Sequence, residues 1–318
     1  MWRLIISILF MMTGCSSLSI GPILSELPDG VHINHLGDLE NKAISEASGL
    51  AASNLRSDIL WIINDSGNEP LLHAIGSDGS DRGFVRVDGA ENIDWEDLAS
   101  FMYNGTPYIL IADVGDNREH RETGTIYIVK EPRIQGVRLR KGLSVSPEWK
   151  INFRYEDAPR DCEAVGVDME NLRIFLVTKR TIPPMLYQLP LFPLHGPSVL
   201  TAKKVTELTG IAGSNTAGAR SYTLLDYIHY QSAPTALDIE PDGFMAAILT
   251  YNAIYLFSRI PGEDWIRSFS GRPVVVPIPR LYQAEALCFG MKGDRLFITS
   301  EKGPAPLYGI DIDRNIIQ

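Results

Sequence analysis

Residues 96–99 read Glu96-Asp97-Leu98-Ala99, and a similar order of residue types occurs five times in the chain. Each copy starts with a polar residue, continues with small or acidic and apolar residues, and is followed by a turn and a second apolar run. The intervals between copies are 50, 67, 72 and 50 residues. Several short apolar runs within such an interval indicate a repeated β-sheet. The copies begin at Glu46, Glu96, Glu163, Thr235 and Glu285.

The first four repeats each contain the signals of four strands. The last repeat contains the signals of only three strands before the sequence ends. Val31 to Leu39, near the other end of the chain, would supply the missing strand. Four-stranded units closed by a borrowed strand are typical of a β-propeller, which protects its sheet edges in this way. The fold class predicted is therefore all-β, a propeller spanning residues 31–318. Five blades are favoured, and six remain possible because the interval 163 to 235 is long.

The N-terminus has the pattern of an export signal. Arg3 precedes the apolar stretch Leu4 to Met12, and small residues then lead to Cys15. This arrangement resembles a bacterial lipoprotein signal over residues 1–14, with Cys15 lipidated and residues 15–30 as a tether. An ordinary secretory signal or a short N-terminal anchor is the alternative. The prediction is a protein of the bacterial cell envelope, held by its lipid at the periplasmic face or the outer membrane.

Composition limits the partners. The net charge of −10 disfavours nucleic acid and anionic membrane surfaces as partners. Cys162 and Cys288, the cysteines left besides Cys15, fall in non-neighbouring repeats, so we expect both to be buried and unpaired. The basic cluster in the insertion 131–146 is expected to be a solvated hairpin. Its members are Arg133, Arg138, Arg140 and Lys141.

The first residues of innermost propeller strands point towards the central axis. Four carboxylates placed there need a counter-charge, either protons or a cation. An all-oxygen set without Cys or His favours Ca²⁺ over Mg²⁺ and argues against zinc. The alternative is that these carboxylates accept hydrogen bonds from neighbouring backbone N–H groups. The predicted metal ligands are Glu46, Glu96, Glu163, Thr235 and Glu285.

A second set of polar residues follows the second strand of each repeat, at the same mouth of the channel. Asp94 and Asp161 enter from the same side. In a hydrolase, Asp65 or Asp113 would act as general base. Lys179, Arg180 and Arg118 would offset developing negative charge.

Four segments carry a resemblance to known families: 45–50, 64–67, 94–99 and 112–117. They resemble a family of exported bacterial propellers described as esterase-like or phytase-like. The axial pattern is more distantly similar to calcium-activated nucleotidases (apyrases), which are five-bladed propellers with one central calcium. Asn64-Asp65-Ser66-Gly67 lacks the Arg and one of the paired acids of that family, so the resemblance does not imply nucleotide specificity.

Two functions follow from the sequence. The first is an envelope-anchored, Ca²⁺-binding recognition module that takes a small molecule, glycan or protein at the channel mouth. The second is a Ca²⁺-dependent hydrolase of phosphate esters or other esters, in which the metal lowers the pKa of an attacking water. The sequence spells out no nucleophile–base pair, so whether the protein is an enzyme stays open.

Overall fold

The computed structural model describes residues 27–193, 198–211, 231–260 and 262–317. Within these ranges the regular secondary structure is nearly all β-strand, and the strands form four-stranded antiparallel units in chain order. The first unit contains β2 (Ala47–Ala52), β3 (Ile59–Asn64), β4 (Leu71–Gly76) and β5 (Asp81–Val87). The second contains β6 (Trp95–Tyr103), β7 (Thr106–Asp113), β8 (Gly124–Lys130) and β10 (Pro147–Tyr155), with the short β9 (Ser144–Val145) before β10.

The third unit contains β11 (Cys162–Asp168), β12 (Arg173–Thr178), β13 (Met185–Pro190) and β14 (Leu200–Glu207). The fourth contains β15 (Pro234–Ile239), β16 (Met245–Thr250), β17 (Ala253–Ser258) and β18 (Val274–Pro277), with helix α1 (Trp265–Phe269) before β18. The fifth contains β19 (Ala284–Phe289), β20 (Arg295–Ser300) and β21 (Pro306–Ile312), followed by a 3₁₀ helix (Arg314–Ile317).

The fifth unit is completed by β1 (Val31–Asp38), which pairs antiparallel with β21. The predicted borrowed strand is thereby confirmed. The innermost strands β2, β6, β11, β15 and β19 contact one another in that order, and β19 contacts β2. The fold is therefore a β-propeller, as the sequence predicted. The blade count for the whole chain stays a prediction, because residues 194–197 and 212–230 lie outside the described ranges.

The core lies between neighbouring units, where inner strands are packed on both faces. Trp61 and Trp95, for example, lie in the cluster between the first two units. All six residues of β2 are buried, and Gly49 is needed there because a Cβ would meet the backbone of Asp97 at 2.7 Å. This two-sided burial explains why the inner strands read as runs of small and apolar residues rather than as an alternation of apolar and polar residues.

Every innermost strand has an irregularity near its start. The pairing register shifts across Ser48, Glu96, Glu163, Thr235 and Glu285, each of which is an extra residue opposite its partner strand. Such a bulge changes the direction in which the side chain of the extra residue points.

Two elements differ from expectation. The insertion after β8 is not a solvated hairpin, because β9 pairs parallel with β5 of the first unit and Leu139 is buried there. Helix α1, which the strand-rich pattern did not suggest, is capped by Asp264 and buries Trp265 and Phe269 against the fourth unit.

Cys162 and Cys288 are buried and unpaired, as expected. The described residues contain no helix with the length and apolar character needed to cross a bilayer. The predicted signal 1–14 and Cys15 lie outside the described residues.

Candidate cation site

Three carboxylates converge at one mouth of the channel, between the first and second units. Asp65 directly follows β3, and Asp94 and Glu96 lie at the start of β6. One carboxylate oxygen from each lies within 4.8 Å of those of the other two. Among the residues with described positions, no other group of three or more His, Cys, Asp or Glu side chains is this close. Glu96 is one of the predicted metal ligands, and Asp65 is one of the predicted general bases. Asp94 was predicted to enter the channel mouth from the same side.

Glu96 is the most unusual member of this cluster. The residue is 5% exposed, and within the described ranges no hydrogen bond or ion pair reaches its carboxylate, whose oxygens are not fully enclosed. Gly115 lies directly against it, and a Cβ on Gly115 would collide with Glu96 Oε1 and the Asp94 carboxylate. A buried carboxylate without a partner is costly unless it is protonated or meets a cation.

The pKa values reflect this crowding. Burial, followed by the charges of Glu163 and Asp65, raises the pKa of Glu96 well above its ordinary range. Burial and the neighbouring Asp65 raise the pKa of Asp94 to about 7. Without a cation, the cluster therefore retains protons near neutral pH.

The other half of the channel has its own counter-charge. Lys179 Nζ lies 2.8 Å from Glu163 Oε2 and 3.9 Å from Glu285 Oε1, and the Tyr251 hydroxyl donates to Glu285 Oε1 at 2.9 Å. Burial raises the pKa of Glu163 to about 7 although Lys179 acts in the opposite direction. Burial also raises the pKa of Glu285, to about 8. Burial would lower the pKa of Lys179, but the surrounding acids, Glu163 first, raise it overall. The lysine therefore remains charged between the two glutamates.

The structure corrects the alignment of the first repeat. The bulge residue of β2 is Ser48, and Glu46 lies two positions earlier, at the place of Asp94 and Asp161 in the next units. Glu46 is exposed and accepts a hydrogen bond from Asn68 at 2.7 Å. Aligning the repeats on their first glutamate produced this error. Aligning them on the apolar residue two positions after the bulge would have avoided it; these residues are Leu50, Leu98, Val165, Leu237 and Leu287.

The two hydroxyl residues of the inner ring have equivalent roles. Ser48 donates to the carbonyl of Trp95, and Thr235 donates to the carbonyl of Ala284, both at 2.8 Å. Each hydroxyl thus ties its unit to the residue that precedes the next axial glutamate. The five predicted ligands are not equivalent, because the hydroxyls bind backbone carbonyls and Lys179 pairs with Glu163 and approaches Glu285, whereas Glu96 lies with Asp65 and Asp94.

Most of the predicted catalytic residues are neutralised by partners. Asp113 is buried, 2.7 Å from Arg121 Nη1, and accepts a hydrogen bond from the Asp94 N–H. Arg180 Nε lies 2.6 Å from Asp161 Oδ2. Arg118 is exposed and, among the described residues, has neither a hydrogen bond nor an ion pair. Asp65 alone of this predicted set belongs to the carboxylate cluster.

Sequence reasoning missed several buried carboxylates that join the units, among them Asp97 and Asp238. Asp97 Oδ2 accepts hydrogen bonds from the N–H groups of Val165 and Leu237, at 2.8 and 3.1 Å, and Oδ1 accepts from Leu98 at 2.8 Å. One side chain of the second unit thereby binds the inner strands of the third and fourth. Asp238 accepts from Phe289 of the fifth unit at 2.8 Å. Both could have been found in the sequence, because each is an acidic residue within an otherwise apolar inner strand. Burial raises the pKa of Asp97 well above its ordinary range and that of Asp238 to about 7.

No protein-family model and no curated protein matches the sequence. In structure, the chain is similar to a luciferin-regenerating enzyme, with a TM-score of 0.46 and 10% identity over 89% of this chain and 95% of that one. It is also similar to the WD40 repeats of RRP9, with a TM-score of 0.40 and 10% identity over 84% of this chain and 67% of that one. A third similar structure is the PQQ-bound aldose sugar dehydrogenase from Streptomyces coelicolor, with a TM-score of 0.46 and 10% identity over 91% of this chain and 100% of that one. Similarity at this level carries no information about function.

Proposed function

We propose that this chain is an envelope-anchored recognition module whose channel mouth binds a divalent cation, Ca²⁺ before Mg²⁺, through Asp65, Asp94 and Glu96. The observation that carries this proposal is Glu96, a buried carboxylate that has no partner and lies beside two further acids. A cation would replace the protons that the cluster otherwise retains, and would offset the cost of burying Glu96.

The cluster suits a hard cation. Its donors are carboxylate oxygens alone, whereas zinc sites are built mainly from Cys and His. Ca²⁺ takes 6–8 oxygen ligands at flexible angles, and three carboxylates leave some of these positions to water or to an outside ligand. Asp65 and Asp94 are only half-buried, so the cluster is open to the mouth of the channel. An oxygen-bearing group of a peptide or glycan could therefore complete the coordination.

The surrounding charges favour binding over hydrolysis. Of the two candidate general bases of a hydrolase, Asp113 is buried in an ion pair with Arg121, and Asp65 would be occupied as a ligand of the cation. Lys179 is engaged by Glu163, and Arg180 by Asp161. Cations that are already neutralised contribute little to stabilising a new negative charge. Among the described residues Arg118 is the one predicted cation without an acidic partner, and it is exposed to solvent. Anchoring rests on the sequence of residues 1–15, with Cys15 as the lipidated residue and the bacterial envelope as the location.

Calcium binding is tested by thermal unfolding with Ca²⁺ or with EDTA. A cation that binds only the native state stabilises it by about 2.7 kcal/mol at a hundredfold excess over Kd. We expect Ca²⁺ to raise the unfolding midpoint of the wild type, and Glu96→Gln to abolish the increase. Glu240→Gln is the matched control, because Glu240 is also buried but lies at the other end of the inner strands. An unchanged wild-type midpoint, or an equal increase in Glu96→Gln, contradicts the cation site.

Catalysis is tested separately with a panel of nucleotides, phosphomonoesters and carboxyl esters. We expect no turnover that depends on Ca²⁺. Turnover that EDTA abolishes and that Asp65→Asn removes would establish the hydrolase instead, with the same cation site.

A further inference from the structure

The loop of residues 133–142, which we name the basic loop, is a strongly basic surface of the described part of the chain. It contributes four cations and no acid to a protein whose net charge of −10 disfavours anionic surfaces as a whole, so any attraction to such a surface has to be local to this loop. The cations are Arg133, Arg138, Arg140 and Lys141. Like charges this close repel one another, so the cluster needs a reason other than stability of the loop.

The basic loop is fixed to the first unit. The Leu139 side chain is buried, and its N–H donates to the Arg82 carbonyl at 2.7 Å. Arg56 Nη1 donates to the Gly136 carbonyl at 2.6 Å. Arg138 forms an ion pair with Asp81 of β5. The loop is therefore held in one position on the outer strand of this unit, and its remaining cations share a defined surface.

That surface combines free positive charge with exposed apolar groups. Arg133, Arg140 and Lys141 are exposed and, in the described part of the chain, have no acidic partner. Val137, at the turn of the loop, is 67% exposed. Phe84 of β5, 47% exposed, lines a cavity of about 680 Å³ beside Arg140 and Lys141. Cations flanking a projecting apolar side chain match an anionic lipid surface, which offers headgroup charge above an apolar layer.

We propose that the basic loop docks the propeller onto an anionic phospholipid surface. This inference rests on the envelope anchoring in the proposed function and is independent of the cation site. Twelve residues separate Cys15 from Leu27, a distance of at most about 40 Å when fully extended. Asn41, which follows β1, lines the same cavity as the basic loop. β1 has eight residues and spans about 27 Å, less than the reach of the tether, so the predicted lipid and the loop can reach one membrane.

The test measures partitioning of the full chain onto phosphatidylcholine vesicles with and without phosphatidylglycerol. An N-terminal lipid or apolar segment contributes equally to both vesicles, so their difference isolates the basic loop. We expect a preference for phosphatidylglycerol that Arg133→Gln/Arg140→Gln/Lys141→Gln reduces by up to about 100-fold, since each cation contributes about fivefold. Raising the salt concentration should weaken the preference.

The matched control, Arg272→Gln/Arg280→Gln/Lys292→Gln, removes three exposed cations elsewhere and should retain the preference. Val137→Ser should weaken binding without changing its salt dependence. Equal binding to both vesicles, or equal loss in the two triple variants, overturns the proposal. A soluble anionic polysaccharide that binds the loop more tightly than the vesicles do, with no effect of Val137→Ser, also overturns the proposal. The surface would then recognise a polyanion rather than a lipid surface. Loss of calcium binding would leave all these outcomes unaffected.

Discussion

Asp97 provides the most direct test of how the propeller is held together. Its carboxylate accepts three backbone hydrogen bonds, two of them from the third and fourth units. In Asp97→Ala these three buried N–H groups lose their acceptor. Each unsatisfied buried donor costs about 1–3 kcal/mol, so the total is roughly 3–9 kcal/mol. That is comparable to the whole free energy of unfolding of a typical domain, about 5–15 kcal/mol.

Two further variants give graded outcomes. In Asp97→Asn the amide oxygen can take the place of Oδ2 and keep both bonds between units, so only the Leu98 N–H is lost, at about 1–3 kcal/mol. Asp238→Ala removes the acceptor for Phe289 and Ile239, at about 2–6 kcal/mol. The expected order of destabilisation is Asp97→Ala, then Asp238→Ala, then Asp97→Asn. Urea unfolding followed by tryptophan fluorescence measures all three.

The pH supplies an independent check. Because the pKa of Asp97 is raised in the folded state, its contribution to stability is complete below the ordinary carboxyl pKa and is lost as pH rises through the folded value. The free energy of unfolding of Asp97→Asn lacks this dependence on pH, whereas that of the wild type falls as pH rises. The difference between the two should therefore become smaller from pH 5 to pH 8. An Asp97→Ala protein that unfolds at the wild-type urea concentration would refute the reasoning, since the N–H groups would then have other acceptors.

Three further predictions concern the channel and the insertion. Calcium affinity, measured by calorimetry, should fall by at least about tenfold from pH 8 to pH 6, because the pKa of Asp94 is about 7 and its proton competes with the cation, and the raised pKa of Glu96 acts in the same direction. Equal affinities would contradict direct ligation by Asp94. Lys179→Met should destabilise the fold by about 3–5 kcal/mol, since it leaves Glu163 and Glu285 buried without a cation. The loss of stability in this variant should be smaller at pH 6 than at pH 8. At pH 6 the raised pKa values keep both glutamates largely protonated, whereas at pH 8 they no longer do so, and the ionised carboxylates lack a counter-charge. Leu139→Ala should cost about 2 kcal/mol in a thermal melt and should also reduce the preference for phosphatidylglycerol, whereas an unchanged midpoint would mean that Leu139 does not fix the basic loop.

The sequence predicts the strands well because burial on two faces leaves a strong signal. Apolar runs between turn residues identify the inner strands, and the surplus strand near the N-terminus follows from an incomplete last repeat. Helix α1 was missed because its five residues are too few for a helical period to be visible. The pairing of β9 with β5 was missed because a two-residue strand has no sequence pattern of its own.

The site was predicted only in part, for a geometric reason. Burial of Glu96, Glu163 and Glu285 follows from their place at the inner strands, and the structure bears this out. Which acids meet depends on the bulge and on how each loop packs, and neither can be read from spacing. Asp94 joins Glu96 because the bulge places both at the mouth. Glu46, which looks like Glu96 in sequence, lies two positions from the bulge and is exposed.

The residue that ends the second strand of each unit decides how the neighbouring axial charge is balanced. In the third unit this residue is Lys179, which neutralises Glu163 and approaches Glu285. In the fourth it is Tyr251, which donates to Glu285. In the first it is Asp65, which adds negative charge beside Glu96 instead of offsetting it. In the second, Asp113 is neutralised by Arg121 and contributes nothing to Glu96. In the fifth it is Glu301, which adds to burial in raising the pKa of Glu285, although Glu285 still has Lys179 and Tyr251 as partners. Asp65 is therefore the acid at this position that leaves an uncompensated carboxylate beside it, on the side of the first two units, and that is where a cation from solution would bind. An Asp65→Lys variant should reproduce the arrangement of the third unit, with its own cation next to Glu96. We expect it to unfold at a midpoint that no longer responds to Ca²⁺, and a retained response would show that the charge at this position does not control the site.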